Sequence, residues 1–190
     1  MSEYVVPEKF YLILHPRPVY FLVTVSSEGR INVMAISWTM PVSEDEKIIA
    51  LAIDREHFTR KLLSEVDEFT LNVPTIDLLS EIWKAGTLTG WKVDKSKVLK
   101  LTFKASRKVK PPIVSECIAH IEGKVSKIIS VGEVDLVLAK VLEAYVRKEY
   151  LYGKSWDVRK AKIPLHLLGR IFTYSEKILV SEEKEVKKID

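Results

Sequence analysis

The stretch that decides the fold is SSEGRINVMAISWT, residues 26–39. A β-branched and aromatic run precedes it, and Gly29 is suited to the positive φ angle of a tight turn, so the pattern predicts a β hairpin. The returning strand carries Asn32, Ser37 and Trp38 among small and apolar residues. Polar groups inside such a segment pair with the backbone or meet a ligand. Because an aromatic ring is close by, the strand is suited to a flat ligand with polar edges.

The rest of the chain is predicted to be mainly β. The strand-like runs are 19–26, 31–38, 47–53, 68–73, 113–130 and 134–147. The first three follow one another through short links, with 41–46 as a polar connection, and this predicts an antiparallel meander. The last run suits a buried strand or an amphipathic helix, and the turn before it favours the strand. Two helices, near 59–66 and 76–83, are inserted, and an antiparallel barrel closes so many strands without exposed edges.

Composition limits the class of protein. The chain has 190 residues, a formal net charge of +4, 47% hydrophobic and 29% charged residues. We therefore expect one globular domain at residues 1–175, followed by a charged C-terminal tail or helix at 176–190. Cys117 is the only cysteine of the sequence, which excludes an intrachain disulfide and favours a reducing compartment, the cytoplasm. No run reaches the about 18 apolar residues of a membrane span, so we expect no membrane partner.

Several common chemistries have no motif in this sequence. Neither GxGxxG nor GxxxxGK[ST] occurs, so neither a Rossmann unit nor a P-loop is predicted. HExxH is absent and the four histidines are scattered, so no metal site is predicted. Basic and acidic residues alternate, which does not favour binding of nucleic acid. No GxSxG elbow marks a nucleophile, and no catalytic residue is predicted.

A set of hydroxyls, amides and cations remains at the predicted strand and helix ends: Asn32, Ser37, Thr39, Thr59, Asn72 and Lys95. Thr59 opens a predicted helix, where its hydroxyl, the free N–H groups and the helix dipole suit a phosphate. Lys95 can add a point charge to the same phosphate. Taken singly, each residue also has a structural explanation: Thr59 caps a helix, Lys95 lies on the surface, and Trp38 packs in the core. Their combination indicates a ligand.

The order and spacing of the motifs resemble the flavin reductase-like, FMN-binding split-barrel family. The motifs are Arg17-Pro18-Val19, Gly29 to Trp38, His57-Phe58-Thr59, Phe69-Thr70-Leu71-Asn72-Val73, Asp94-Lys95, Glu116-Cys117 and Gly132-Glu133-Val134. Together they extend over most of the chain, although no single motif is specific. The resemblance implies a mainly β fold, an antiparallel FMN-binding split β-barrel with a few peripheral helices. It also implies a homodimer, with FMN near the subunit interface.

The resemblance further implies which residues meet the cofactor. Those that would border the isoalloxazine ring, by hydrogen bonds or by lying beside it, are Asn32, Met34, Ala35, Ser37, Trp38 and Phe172. Those that would hold the phosphate are Thr59 and Lys95, assisted by Arg55 or His57.

The activity implied by the resemblance is that of an NAD(P)H:flavin or ferric oxidoreductase. NADH or NADPH would be the transient donor, and free flavin, a ferric chelate or a protein would be the acceptor. The cofactor carries the redox chemistry, so this activity needs no acid–base residue. One alternative is a non-catalytic FMN-binding electron carrier similar to flavoredoxin. Another is a split barrel that binds some other ligand, or none.

Overall fold

The structure is a computed structural model, and it describes residues 4–181. Its strands are β1 (Arg17–Pro18), β2 (Tyr20–Val25), β3 (Ile31–Ile36), β4 (Thr39–Ser43), β5 (Ile48–Asp54), β6 (Glu68–Val73), β7 (Phe103–Lys104), β8 (Ile113–Val114), β9 (Ala119–Val131), β10 (Val134–Val146), β11 (Leu151–Tyr152), β12 (Ser155–Trp156), β13 (Leu165–Leu168) and β14 (Ile171–Thr173). Its α-helices are α1 (Phe58–Glu65), α2 (Leu79–Thr87), α3 (Lys95–Val98) and α4 (Val158–Ala161). Short 3-10 helices span Phe10–Leu14, Ile76–Leu78 and Lys148–Tyr150.

The predicted hairpin is confirmed. β2 and β3 pair antiparallel along their whole lengths without a register shift. Gly29 has a φ angle of 87°, and its N–H donates to the Ser26 carbonyl oxygen at 3.0 Å. The N–H of Ser26 in turn donates to the Arg30 carbonyl oxygen at 2.9 Å. The turn therefore uses the left-handed conformation that glycine adopts without a steric penalty.

Seven strands form one antiparallel sheet in the order β3-β2-β6-β9-β10-β5-β4. The predicted meander is wrong, because the third strand, β5, lies at the far side of the sheet between β10 and β4. β3 and β4 are its two edge strands, although only Ser37 and Trp38 separate them in the chain. Three Cα–Cα steps span at most about 11 Å, whereas the edges of a flat seven-stranded sheet lie about 29 Å apart. The sheet must curl until its edges approach, which confirms the predicted split antiparallel β-barrel.

Two strand boundaries differ from the prediction. The predicted connection at 41–46 begins inside β4, because an edge strand tolerates a residue without an N–H, here Pro41. The predicted strand at 113–130 divides into the short β8 and the long β9. The ambiguous run at 134–147 is the strand β10, as predicted. The part of the predicted tail at 176–181 has neither helix nor strand, and 182–190 lies outside the described residues.

Both predicted helices are present. α1 begins after His57, and the helix predicted near 76–83 starts as a 3-10 turn at Ile76–Leu78 and continues as α2 to Thr87. Among the described residues, no helix has the length and apolar character needed to cross a membrane.

Side chains that alternate along β3 pack into two different hydrophobic cores. Met34 and Ile36 pack in the barrel interior, whereas Val33 and Ala35 face α2 on the outside of the sheet. Successive side chains of a strand point to opposite faces, so this division follows from the pattern of β3 itself. The end of α2 lies beside the strand, because a Cβ on Gly86 would be 3.5 Å from the Ala35 Cβ. This packing positions α2 to form one wall of a cavity.

Candidate functional site

A cavity of about 250 Å³ lies where β3, the end of α2 and the β13–β14 hairpin meet. Its lining residues are Val19, Ala35, Ser37, Ile82, Trp83, Gly86, Thr87, His166, Gly169 and Phe172. Three of the predicted site residues, Ala35, Ser37 and Phe172, are therefore brought together from distant parts of the chain. Sequence reasoning missed the contribution of Trp83, because nothing in the local pattern indicates which helix packs against the end of β3.

One edge of β3 is open beside this cavity. β3 pairs with β2 alone among the described strands. In an antiparallel pair the backbone groups of alternate residues point toward the partner strand. The bond from Ser26 to Arg30 sets this alternation, so the N–H and C=O of Met34 face β2 and those of Ala35 face the open edge. Unpaired backbone groups at Ala35 can bond the polar edge of a flat ring.

Met34 is not brought to the cavity. Its side chain belongs to the barrel interior, and its backbone faces β2. Trp38 lies on the link between the two edge strands and is 39% exposed. Its ring packs edge-on against Tyr11, with centroids 5.6 Å apart, and under the guanidinium of Arg17, which lies 5.1 Å from the ring centroid. The expected place of Trp38 beside a ring ligand stays a prediction.

Asn32 and Thr59 form a buried pair, each only 2% exposed. The amide Nδ2 of Asn32 donates to the Thr59 hydroxyl at 2.9 Å. The other amide atom, Oδ1, is buried and has no hydrogen-bond partner among the described residues. The loop at Gly90 covers the pair so closely that a Cβ there would lie 2.5 Å from both Asn32 Oδ1 and Phe58 Cδ1. The orphaned oxygen marks a polar position that the chain itself does not satisfy.

The start of α1 agrees with the prediction for Thr59. His57 is the N-cap residue, so Thr59 lies in the first turn of the helix. His57 itself is exposed and its side chain makes no capping bond. Arg55 is also exposed, and its guanidinium donates to the Gly132 carbonyl oxygen in the turn between β9 and β10. Arg55 and His57 thus lie at the surface near the helix start, and their contact with a phosphate stays a prediction.

Lys95 is buried, not solvated. It is 5% exposed, and its Nζ donates to the Ala85 carbonyl oxygen at 2.7 Å. Within residues 4–181 it has no salt-bridge partner. Desolvation lowers the pKa of Lys95 to about 8. Ala85 precedes Gly86 of the cavity lining, so Lys95 reaches the same end of α2 that borders the cavity.

His166 on the β13–β14 hairpin lies in the wall of the cavity, close to other basic residues. The imidazole of His166 lies beside the Phe172 ring, with centroids 5.1 Å apart, and its Nε2 is 3.0 Å from the Gly169 carbonyl oxygen. Burial lowers the pKa of His166, the hydrogen bond to the Gly169 carbonyl oxygen opposes this effect, and the positive charge of nearby Arg17 adds to it. No group of His, Cys, Asp and Glu residues that could hold a metal ion is present in the described part of the chain.

This chain belongs to the flavin reductase like domain family, whose model matches residues 12–159. The suspected family is therefore confirmed. A relative in Archaeoglobus fulgidus, an uncharacterized protein, is 38% identical over 173 residues, which are 91% of this chain and 91% of that protein.

Two solved structures have the same fold. The flavoredoxin of Desulfovibrio vulgaris (Miyazaki F) matches with a TM-score of 0.83 and 21% identity over 95% of this chain and 97% of that chain. An FMN-binding protein from Thermus thermophilus matches with a TM-score of 0.81 and 18% identity over 95% and 100% of the two chains.

Proposed function

We propose that this protein is an FMN-binding flavoprotein whose flavin ring lies in the cavity along the open edge of β3. The observation that carries the proposal is the meeting of Ala35, Ser37 and Phe172 at a free strand edge in a chain of the flavin reductase-like family. Backbone groups of Ala35 and the Ser37 hydroxyl would bond the polar edge of the ring. Phe172 would pack against the ring system.

The residues at the other end of the proposed site fit a phosphate. The Thr59 hydroxyl accepts from Asn32 Nδ2 and keeps its own proton free to donate, and it lies in the first turn of α1. Lys95 is a buried amine without a carboxylate partner in the same part of the chain. An unpaired buried cation is costly, and an anion offsets that cost. Thr59 and Lys95 would hold the phosphate, and Arg55 or His57 would add positive charge.

The activity that we propose is an NAD(P)H-dependent oxidoreductase with a flavin, ferric chelate or protein as acceptor. Bound FMN would supply the capacity to accept a hydride, that is two electrons and a proton, and to pass the electrons on singly or in pairs. The chain would bind and orient the ring, and hydride transfer from a nicotinamide to a flavin needs no general acid or base from the cavity. The physical argument for a reductase is this open, pre-formed cavity within a family described as flavin reductase-like.

We also propose that the protein is a homodimer. A cavity of about 250 Å³ is smaller than the about 300–1,000 Å³ of typical ligand pockets. One protomer therefore encloses only part of a flavin, and a second copy can supply the missing wall. Met40 and Val42 on the edge strand β4 are exposed by 57% and 50%, and they offer an apolar contact surface close to the link that carries Trp38. We place the dimer in the cytoplasm, where the free thiol of buried Cys117 stays reduced.

Rapid mixing with nicotinamide tests the reductase proposal. Protein reconstituted with FMN is mixed anaerobically with NADH or with NADPH, and the visible flavin absorbance is followed. We expect saturable bleaching with at least one donor. Bound FMN that is not bleached by either donor would refute the reductase and would favour an electron carrier. Protein that does not acquire flavin absorbance after FMN addition would refute both.

A further inference from the structure

Arg17, His15 and His166 form a linked group next to the cavity. Arg17 on β1 lies opposite His166 on β13. Nη2 of Arg17 donates to Nε2 of His15 at 2.7 Å, and Nδ1 of His15 lies 2.8 Å from the His166 carbonyl oxygen. Because a guanidinium can only donate, Nε2 accepts and Nδ1–H donates to the carbonyl. His15 thus anchors the guanidinium of Arg17 at one ring nitrogen and the backbone of β13 at the other.

The charge of Arg17 is not compensated within the described residues. It has no carboxylate partner there, and its Nε is buried without a hydrogen-bond partner. Burial lowers the pKa of Arg17. The guanidinium lies over the Trp38 ring, which supports it by a cation–π contact, and its Nη1 and the second N–H of Nη2 have no hydrogen-bond partner within residues 4–181. Partly buried cations are normally paired, so this arrangement indicates a missing anion.

We propose that Arg17 binds an oxyanion, a phosphate or a carboxylate group, of the molecule that exchanges electrons at the cavity. The site adjoins the cavity because His166, which is bonded to this group through its carbonyl, also lines the cavity. The proposal deepens the proposed function and relies on it for the position of the flavin. The phosphate of FMN has its own candidate cation in Lys95, so Arg17 remains for the second substrate.

The oxyanion can come from two sources. The nicotinamide donor carries a diphosphate, and a chelate such as ferric citrate carries carboxylates. Phosphate and carboxylate groups each present two oxygen atoms that a guanidinium can bind with two parallel hydrogen bonds. The recognition chemistry is the same, so the two half-reactions must be measured separately to identify the source.

Half-reaction kinetics of Arg17→Gln test the proposal in the FMN-loaded protein. The reductive half-reaction is measured with NADPH and with NADH, and the oxidative half-reaction with ferric citrate. We expect the apparent dissociation constant of one partner to rise about tenfold or more, as for loss of a charge-assisted hydrogen bond. An effect on the donor assigns the site to the diphosphate, and an effect on ferric citrate assigns it to carboxylates. Arg17→Lys should show a smaller effect, because lysine keeps the positive charge but cannot make the two parallel hydrogen bonds of a guanidinium.

Two controls separate binding from structure. Lys127→Gln removes one positive charge from an exposed position on β9 and should leave both half-reactions unchanged. The melting temperature of Arg17→Gln should stay close to that of the unchanged protein. Loss of FMN from Arg17→Gln, or unchanged constants for both partners, would overturn the proposal.

A binding measurement on flavin-free protein tests the anion site at Arg17 independently of FMN binding. Inorganic pyrophosphate and citrate are titrated calorimetrically into flavin-free protein and into Arg17→Gln. We expect the unchanged protein to bind at least one of the two anions, and Arg17→Gln to bind it about tenfold more weakly or worse. No binding of either anion would overturn the anion site, whatever the result for FMN. A failure to bind FMN would refute the proposed function and leave this result standing.

Discussion

Lys95 should make the binding of FMN depend on pH. Desolvation lowers the pKa of its amine from 10.5 to about 8, and a phosphate binds the protonated amine. Above pH 8 the free protein loses this proton, so the affinity for FMN should fall by up to about tenfold per pH unit, until the pH reaches the raised pKa of the complex. The affinity should also fall at low pH, because a phosphate monoester loses one negative charge below its second pKa of about 6. We therefore expect the tightest binding between about pH 6 and 8.

The same buried charge should destabilise the flavin-free protein. The unfolded chain keeps the proton of Lys95 up to pH 10.5 and the folded chain only up to about 8. The penalty is therefore fully present below pH 8 and is lost as the pH rises from about 8 to 10.5. The difference between the two pKa values corresponds to about 3 kcal/mol. Lys95→Met should raise the free energy of unfolding by up to this amount at neutral pH, and should weaken FMN binding.

The assay is titration of FMN fluorescence across this pH range, combined with urea unfolding of the flavin-free protein. Lys97→Met is the matched control, because the Lys97 side chain is 80% exposed and lies two residues away on α3. Its affinity profile should follow that of the unchanged protein. An affinity that stays flat above pH 8 in the unchanged protein, or an equal decline in Lys95→Met, would refute the assignment of Lys95 to the phosphate.

Three further predictions concern the fold and the assembly. Gly123→Ala would place a Cβ 2.4 Å from Phe69 Cζ and should lower the free energy of unfolding, measured in urea, by about 1–3 kcal/mol. Gly86→Ala is the control, because its Cβ would meet only an ordinary van der Waals contact. An equal loss of stability in both variants would contradict the close packing of Phe69 on Gly123. His120 has its pKa lowered by burial to about 4, so stability should decrease as the pH falls from about 6.5 to 4, and a pH profile unchanged in His120→Gln would contradict this. Met40→Asp should yield monomers in sedimentation equilibrium, and an unchanged mass would exclude β4 from the interface.

The local elements of this fold could be predicted from the sequence. The hairpin around Gly29 and the helix start next to Thr59 depend on neighbouring residues, so their patterns are visible in the chain. The position of β5 in the sheet depends on how strongly the sheet curls, and no local sequence pattern predicts that curvature. The short link formed by Ser37 and Trp38 determines the curl, but only once β3 and β4 are known to be opposite edges.

The site was only partly predictable for the same reason. Ala35, Ser37 and Phe172 came from the family resemblance, and the cavity unites them. Lys95 was expected to be charged and accessible, but the structure buries it against Ala85. The contacts among Arg17, His15 and His166 have no local signal in the sequence, because they form only when β1 pairs with β13. Contacts of this kind depend on tertiary packing, which a single sequence does not display.

On the proposed function, FMN occupies the cavity along the open edge of β3. The most direct test is the visible absorbance of the purified protein during titration with FMN, compared with Thr87→Trp, which fills the cavity from an exposed position at the end of α2. We expect one FMN per chain in the unchanged protein and no flavin binding in Thr87→Trp, with the same circular dichroism spectrum for both. Absence of flavin absorbance in the unchanged protein, or equal FMN binding by Thr87→Trp, would contradict the claim.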